Sequence, residues 1–336
     1  MMKKTTIKDI ARALGIHHTT VSRALRDHPD VKPETKEKIK KMAEKLNYQP
    51  NLFARNLRNN QANLIGVLVP EIQHHFFASA ISGMEEIAQE HGYVLLVCQS
   101  NENYEREVMN TKALFGNRVA GMLVSVAQTT RTDEHFRWFL KSGGRIVFFD
   151  RVLDIPNTIK VVVDDRAGGY KATKYLIDKG RKRIAHIGGT KNLLISHERY
   201  NGYVQALQEA GLPVDKRLVV WSGFHEENGA KAIKQILKRG EPPDAVFAVN
   251  DPVALGAMTV LKQRGLKIPR DVSVVGFSNN PISAFVDPPL TTIEQPAYQM
   301  GMEAIKALLE QVQNGEEPPE DKKIVLKTKL IIRSSA

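Results

Sequence analysis

The segment TTIKDIARALGIHHTTVSRA, residues 5–24, carries the polar side chains with the clearest chemical pattern. Its apolar residues recur at helical spacing on both sides of Gly15, a residue that suits a turn with positive φ, so the segment predicts two short helices joined by a tight turn. Packing of Val21, Ala24 and Leu25 leaves a polar face exposed on the second helix, made of His18, Thr19, Ser22 and Arg23. Such groups can hydrogen-bond to base edges, and a helix-turn-helix places its second helix in the major groove of DNA.

Positive charge is concentrated in the same part of the chain. Residues 1–60 contain 14 Lys or Arg against 6 Asp or Glu, a net charge of +8. Residues 61–336 contain 34 against 31, a net charge of +3. A phosphate-binding surface has this footprint, although a solvated basic surface alone would give the same count. Its coincidence with the helix-turn-helix pattern favours DNA binding.

Patterns of catalytic and metal chemistry are missing from the sequence. GxGxxG, the P-loop pattern and HExxH do not occur, and the histidine pairs 17–18 and 74–75 are adjacent rather than four residues apart. We therefore expect no catalytic residue, no metal site and no cofactor. The single Cys98 excludes an intramolecular disulfide and lies in an apolar run, which predicts a buried thiol. No apolar run of about 18 residues occurs, and we expect a cytoplasmic protein.

The elements that position these side chains fall into three segments. Residues 1–49 predict a helical head, whose third helix begins at Pro33, and residues 50–60 predict a short connecting helix. From residue 61 onward, apolar runs rich in Val and Ile alternate with amphipathic segments, which is typical of parallel sheets covered by helices on both faces. The predicted strands are 64–70, 93–98, 120–125, 145–150, 160–165, 183–189, 218–221, 245–250 and 272–277, with one more in the tail. So many strands predict two sheets, with a cleft between two subdomains.

The head and the core together resemble the lactose/galactose repressor (LacI/GalR) family of bacterial transcription regulators. The motifs that carry the resemblance are TIKDIARALG, TVSRAL and NYQPN in the head, and VNDPVALGAM, VSVVGF and PPLTTIEQP in the core. The resemblance spans essentially the whole chain. It implies a helix-turn-helix head (1–49), a hinge helix (50–60) and a core (61–336) of two doubly wound α/β subdomains like those of periplasmic binding proteins. We expect these subdomains at 61–163 plus 294–322 and at 164–293 plus 323–336.

The resemblance also assigns DNA contacts. Residues 17–25 would form the recognition helix, and His18, Thr19 and Arg23 would read bases. His17 stands where the family usually has Ser as the helix N-cap, so a weaker cap or a cap from another group is expected. Leu57 would insert between base pairs in the minor groove, beside Leu57 of a second subunit. The full set implied is Thr6, His17, His18, Thr19, Ser22, Arg23, Asn51, Ala54, Leu57 and Arg58.

Ligand contacts in the core follow from the same resemblance. They are Phe76, Phe77, Ser125, Asp150, Arg199, Phe224, Asn250, Ser278 and Gln295. Aromatic rings would stack on a ligand ring and the polar groups would bind its hydroxyls or ring nitrogens, while core packing is the alternative for the first two. Many sugar-responsive relatives have an acidic residue at the position of Ser278. Its absence suggests a charged or phosphorylated ligand, with Arg199, Arg151 and His74 as candidate groups to balance the charge.

The expected function is that of a homodimeric repressor of carbohydrate-related genes, which binds a palindromic operator and responds to a small molecule in the cleft. The ligand would be a sugar, a sugar phosphate or a related metabolite, acting as inducer or corepressor. A periplasmic binding protein would share the core fold but would need a signal peptide and no basic head. An enzyme would have to turn over such a ligand. A dimer is expected rather than a tetramer because no heptad repeat follows the final strand.

Overall fold

The computed structural model describes residues 5–25, 27–48, 63–314 and 322–336. Two compact units make up the chain, Met1–Ala62 and Asn63–Ala336. The hinge predicted at residues 50–60 lies outside the described residues. None of the described helices has the length and apolarity needed to cross a membrane.

The first unit contains three helices, α1 (Ile7–Leu14), α2 (His18–Ala24) and α3 (Pro33–Lys45). Gly15, with φ of 65°, ends α1, as the turn between two closely spaced helices requires. The apolar faces of the helices meet in a small core formed by Ile10, Ala11, Val21, Ala24, Val31, Ile39 and Ala43. The predicted helix-turn-helix with its third helix is therefore present.

The second unit alternates strands and helices. Its elements are β1 (Leu64–Val69), α4 (His75–Glu90), β2 (Val94–Gln99), α5 (Tyr104–Gly116), β3 (Met122–Val124), α6 (Glu134–Lys141), β4 (Ile146–Phe149), β5 (Ile159–Val163), α7 (Asp165–Asp178), β6 (Ile184–Gly188), α8 (Leu194–Glu209), β7 (Val219–Trp221), α9 (Glu226–Lys238), β8 (Ala245–Ala248), α10 (Asp251–Gln263), β9 (Ser273–Ser278), β10 (Thr291–Glu294), α11 (Ala297–Asn314), β11 (Lys323–Leu326) and β12 (Lys329–Ile331). All nine strands predicted individually are observed, and the tail contains two strands instead of one.

Two six-stranded sheets organise this core. The first has the order β2-β1-β3-β4-β5-β11 and is parallel throughout. The second has the order β7-β6-β8-β9-β10-β12 and is parallel except for the edge strand β12. Both sheets are doubly wound, and their strand order reverses beside the first strand of each. The fold class is therefore the predicted one, a helical head followed by two α/β subdomains.

The chain passes between the two sheets three times. It crosses after β5, again after β10, and a last time between β11 and β12. We expected residues 323–336 in the second subdomain, but Lys323–Leu326 pairs with β5 in the first sheet. Ile324 and Leu326 pack on the apolar cluster of that sheet, and short alternating strands such as β11 and β12 carry no sequence signal that separates their partners.

Neighbouring helices approach closely where both carry glycine. A Cβ on Gly301 would lie 1.9 Å from the Ala80 carbonyl oxygen, and one on Gly83 would lie 2.2 Å from the Tyr298 carbonyl oxygen, so α4 and α11 pack backbone to backbone. The same arrangement joins α7 to α8 through Gly169 and Gly202, and α9 to α10 through Gly229 and Gly256. These contacts fix the helix that follows β1 in the first sheet and those that follow β6 and β8 in the second.

Candidate functional site

A cleft that is partly open to solvent lies in the second unit. Its lining residues lie at or after the carboxyl ends of strands, four of them after β1, two after β4, and the others at or after the ends of β6, β7, β8, β9 and β10. They are His74, His75, Phe76, Phe77, Asp150, Arg151, Ile195, Arg199, Phe224, Asn250, Pro252, Ser278, Asn280 and Gln295. Ligands of doubly wound folds bind at this edge of the sheet, beside the point where strand order reverses.

Eight of the nine predicted ligand residues line this cleft, and Ser125 does not. Ser125 follows β3 but is fully buried, and its backbone N–H donates to the Leu68 carbonyl at 2.9 Å. Within the first sheet, β3 is the shortest of the interior strands, with three residues. Four lining residues were not predicted from the sequence: His75, Pro252 and Asn280, each within two residues of a predicted site residue, and Ile195, for which no sequence pattern gave a signal.

Arg199 is the centre of the polar wall from the second subdomain. It is 2 % exposed, its Nε donates to Asp165 Oδ1 at 2.8 Å, and one terminal nitrogen donates to the Val249 carbonyl at 2.7 Å. Its guanidinium also lies 3.8 Å from the ring centre of Phe277. Burial raises the pKa of Asp165 to about 6, against the opposing effect of the Arg199 charge. Both side chains are thus held in place before any ligand binds.

Arg151 has a comparable place in the first subdomain. Its guanidinium donates to Glu102 Oε1 at 2.7 Å and lies 4.7 Å from the ring centre of Phe224, which belongs to the second subdomain. Phe77 faces the same guanidinium from 5.8 Å and packs in the core against Phe149. Phe77 is therefore a core residue that also lines the cleft.

A hydrogen-bonded chain crosses the cleft from one subdomain to the other. The Ser278 hydroxyl donates to Gln295 Oε1 at 2.9 Å, and Gln295 Nε2 approaches Asp150 Oδ1 at 3.5 Å. Burial raises the pKa of Asp150. Asp150 has φ of 58° and Ser278 has φ of 105°, values that L-residues rarely adopt and that cluster at functional sites.

Asn250 and Asp251 hold the start of α10 at the floor of the cleft. Asn250 caps the helix by accepting from the Val253 N–H at 3.0 Å, while its Nδ2 donates to the Phe224 carbonyl at 2.8 Å. Asp251 is fully buried and accepts from the Asn280 N–H, the Ser283 hydroxyl and the Thr292 hydroxyl. Burial raises its pKa to about 6. Asp251 thus organises the loop after β9 rather than facing the cleft.

Three side chains meet at the rim of the cleft. Glu71 and His74 lie between β1 and α4 in the first subdomain, and His225 is the N-cap of α9 in the second. Glu71 Oε2 lies 2.9 Å from His74 Nε2 and 3.5 Å from His225 Nε2, and the two imidazole rings stack with centres 5.1 Å apart. Burial lowers the pKa of His74, with Glu71 acting in the opposite direction.

The exposed face of α2 carries the side chains predicted to read DNA. His18, Thr19 and Arg23 are exposed and Ser22 is half-buried, while Val21 and Ala24 are buried in the head. His17 is the N-cap, and its Nδ1 accepts from the Thr19 N–H at 3.5 Å, a long bond that fits the weaker cap expected there. Thr6 is the N-cap of α1, and its N–H and hydroxyl donate to Asp9 Oδ2 at 2.9 and 2.6 Å. The predicted contacts Asn51, Ala54, Leu57 and Arg58 lie outside the described residues.

Comparison with known proteins places this arrangement among bacterial regulators. Residues 6–51 match the family described as bacterial regulatory proteins, lacI family, and residues 62–333 match the periplasmic binding proteins and sugar binding domain of LacI family. The HTH-type transcriptional repressor PurR of Vibrio atlanticus (strain LGP32) is 36 % identical over 320 residues, which cover 92 % of each chain.

Solved structures support the same conclusion. The lac repressor dimer bound to operator and the anti-inducer ONPF superposes with a TM-score of 0.86 at 25 % identity, covering 99 % of both chains. The complex of the transcriptional regulator CelR with cellobiose gives a TM-score of 0.75 at 30 % identity, covering 99 % of this chain and 100 % of the other.

A helix-turn-helix head together with a two-sheet core and its cleft defines a transcription regulator with an effector-binding domain. The chain belongs to the LacI family, as the resemblance of its motifs implied.

Proposed function

We propose that this regulator binds a neutral ring compound rich in hydroxyl groups, such as a sugar or a nucleoside, in the cleft, and that the ligand changes its affinity for a palindromic operator. The observation that carries the proposal is the charge balance of the cleft. Arg199 is paired with Asp165 and Arg151 with Glu102, so neither guanidinium brings an uncompensated positive charge.

This balance argues against the phosphorylated ligand that Ser278 suggested. A bound phosphate needs cationic partners. To serve as such partners, the two arginines would have to leave their buried carboxylates, and each carboxylate left unpaired would cost roughly 3–5 kcal/mol. A hydroxyl-bearing ring needs only single hydrogen bonds. Asp150, Arg199 and Gln295 offer these beside the aromatic faces of Phe76 and Phe224.

The ligand would control DNA binding by holding the two subdomains at one angle. Asp150 belongs to the first subdomain and Arg199 to the second, so a ligand that bonds to both favours the closed arrangement. In a homodimer, that arrangement would set the separation of the two heads and therefore the fit to two half-sites of an operator. Both an inducer, which weakens operator binding, and a corepressor, which strengthens it, fit this scheme.

Thermal unfolding with a ligand panel tests the ligand class. The panel contains neutral sugars, nucleosides and their phosphate esters, and a ligand at 100 times its Kd should stabilise the protein by about 2.7 kcal/mol. We expect a hit among the neutral compounds, and its phosphate ester should bind more weakly. A selective hit among the phosphate esters alone would refute the proposal.

Two glutamine variants test whether that hit binds in this cleft. Gln295→Ala removes the side chain that joins Asp150 to Ser278 and should abolish most of the thermal shift, because the ligand loses one hydrogen-bonding partner and the two neighbours lose the residue that positions them. Gln263→Ala, at an exposed position at the end of α10, is the control and should keep the shift. An equal shift in both variants would place the ligand elsewhere.

The DNA-reading proposal rests on the exposure of His18, Thr19 and Arg23 on one helix with an apolar opposite face. Thr19→Ala should weaken binding to the selected operator by about 1–3 kcal/mol and leave binding to random duplex nearly unchanged. Lys38→Gln, on the exposed face of α3, is the control, since a phosphate contact would lower both affinities equally. Leu57→Ala should resemble Thr19→Ala, and equal losses on both duplexes would contradict base reading by either residue.

A further inference from the structure

We propose that Glu71, His74 and His225 bind a divalent transition-metal ion such as Zn²⁺, which joins the two subdomains at the rim of the cleft. Across residues 5–25, 27–48, 63–314 and 322–336 these three form the one group of His, Cys, Asp or Glu side chains whose ligand atoms converge. The proposal concerns a site separate from the groups that would bind the organic ligand, although His74 also lines the cleft.

The spacing of the three ligand atoms fits a tetrahedral ion. Bonds of about 2.0–2.1 Å at tetrahedral angles separate neighbouring ligand atoms by about 3.3 Å. Glu71 Oε2 lies 2.9 Å from His74 Nε2 and 3.5 Å from His225 Nε2. All three ligand atoms lie within 4.8 Å of one another.

The contact between Glu71 and His74 is unusual for an ion pair. Their facing atoms, Oε2 and Nε2, are buried and 2.9 Å apart, yet neither makes a hydrogen bond with acceptable angles. Buried polar atoms almost always have a partner, and a shared cation is a partner that both atoms can have at once. Two lone pairs directed at a shared cation give these two atoms the same separation without a hydrogen bond between them.

The chemistry of the group agrees with a transition metal. Two imidazoles and one carboxylate are the ligands of open zinc sites, which keep a fourth position for water or another oxygen ligand. Arg151 is the nearby positive charge that would oppose a cation, but its guanidinium is paired with Glu102 at 2.7 Å. Glu71 supplies the negative charge at the site itself.

The position of the group gives the ion a structural effect. Glu71 and His74 belong to the first subdomain and His225 to the second, far along the chain. An ion bound by all three would therefore favour the closed arrangement of the subdomains. It would do so whichever organic ligand the cleft takes.

Zinc titration of the full chain, after treatment with a chelator and without any organic ligand, tests the site. We expect one Zn²⁺ per chain by calorimetry, and a zinc-dependent rise in the melting temperature. Glu71→Gln and His225→Asn each remove one ligand, and the second keeps a good N-cap for α9. Because changes outside the ligand set already cost 10–100-fold in metal affinity, we expect losses above about 100-fold.

His91→Asn is the matched control, at an exposed histidine that ends α4. It should bind zinc as the wild type does, with the same rise in melting temperature. The proposal is wrong if wild-type protein binds no zinc at about 100 μM, or if Glu71→Gln or His225→Asn binds zinc with wild-type affinity. Neither result depends on the ligand class proposed above, because the titration contains the metal alone.

Discussion

His186 lies in β6, beside the edge strand β7 of the second sheet, with no exposed surface and with its ring against Tyr203 and Phe247. Its Nδ1–H donates to the Phe247 carbonyl at 3.1 Å, whereas Nε2 is buried without a hydrogen-bond partner. Burial lowers the pKa of His186 to about 3, and the nearby Arg199 charge acts in the same direction. The ring is therefore neutral in the folded protein across the physiological range.

Acid should destabilise the protein through this residue. The unfolded chain takes up a proton below its pKa of 6.5 and the folded one does not until about pH 3, so stability falls as pH falls between these values. His186→Gln keeps an N–H donor and removes the titration. Between pH 7.5 and 5.5, the free energy of unfolding of the wild type should fall by about 1.4 kcal/mol more than that of the variant.

Urea unfolding at the two pH values measures this difference. Asp165 and Asp251, whose pKa values are raised to about 6, act in the opposite direction, because they keep a proton in the folded state that the unfolded chain has lost. Both are present in wild type and variant, so their effect cancels in the comparison. Parallel pH curves for the two proteins would show that His186 is protonated in the folded state.

The sequence predicted which residues line the cleft better than it predicted their interaction partners. Arg199, Asn250 and Gln295 were assigned from their place in family motifs, and all three line the cleft. No sequence pattern revealed that Arg199 is occupied by Asp165, because the pairing depends on how α7 and α8 pack. For the same reason, the sequence could not predict that Glu71, His74 and His225 converge, since they approach one another only in the folded core.

Helix packing shows how single residues fix whole elements. α4 and α11 touch through Gly83 and Gly301, and there is no room for a methyl group between the backbones. Periodicity predicted the helix after β1 but not this contact. The sequence does not distinguish a glycine that packs against another helix from a glycine that only lowers helix propensity.

A pair of glycine variants separates packing from propensity. Gly301→Ala should destabilise the protein by about 3 kcal/mol, because its Cβ would lie 1.9 Å from a carbonyl oxygen and the helices must move apart. Gly116→Ala, at the end of α5 with nothing within 4 Å, should be neutral or stabilise by up to about 1 kcal/mol. Chemical denaturation measures both. Equal effects would mean that the helices do not pack as closely as described.

The excess positive charge lies mainly in the DNA-binding head, while the ligand-binding core is nearly neutral. The net charge of +8 in residues 1–60 predicts that DNA binding is strongly dependent on salt. If at least four phosphates are contacted, affinity for random duplex should fall about tenfold or more when the salt concentration doubles. Fluorescence anisotropy with a labelled duplex measures this.

Residues 63–336 are the control for the salt experiment. They form a compact unit of their own, and they carry a net charge of only +3 of the +11 of the chain. They should bind the same duplex far more weakly and with a shallower dependence on salt. Similar slopes for both proteins would assign the phosphate contacts to the core.

The overall architecture could be predicted from the sequence to the level of the sheets. Strands buried on both faces are continuous apolar runs, so β1 to β9 were predicted as separate strands. The partner of β11 was predicted wrongly, because residues 323–326 and 329–331 alternate in similar ways and lie only two residues apart. Which sheet a short edge strand joins depends on the crossing geometry of the chain.

Those crossings bear on how the protein is made in the cell. The core of the first subdomain contains Met300, Ala304, Ile305 and Leu308 from α11, and its sheet has β11 as an edge strand. A ribosome adds about 5–20 residues per second from the N-terminus, so β1 to β5 emerge well before these residues exist. During synthesis, one face of the first sheet is covered by α4 without α11, and one edge lacks β11, while the second subdomain is translated. A nascent chain that stalls before residue 297 therefore exposes the apolar surface that chaperones recognise.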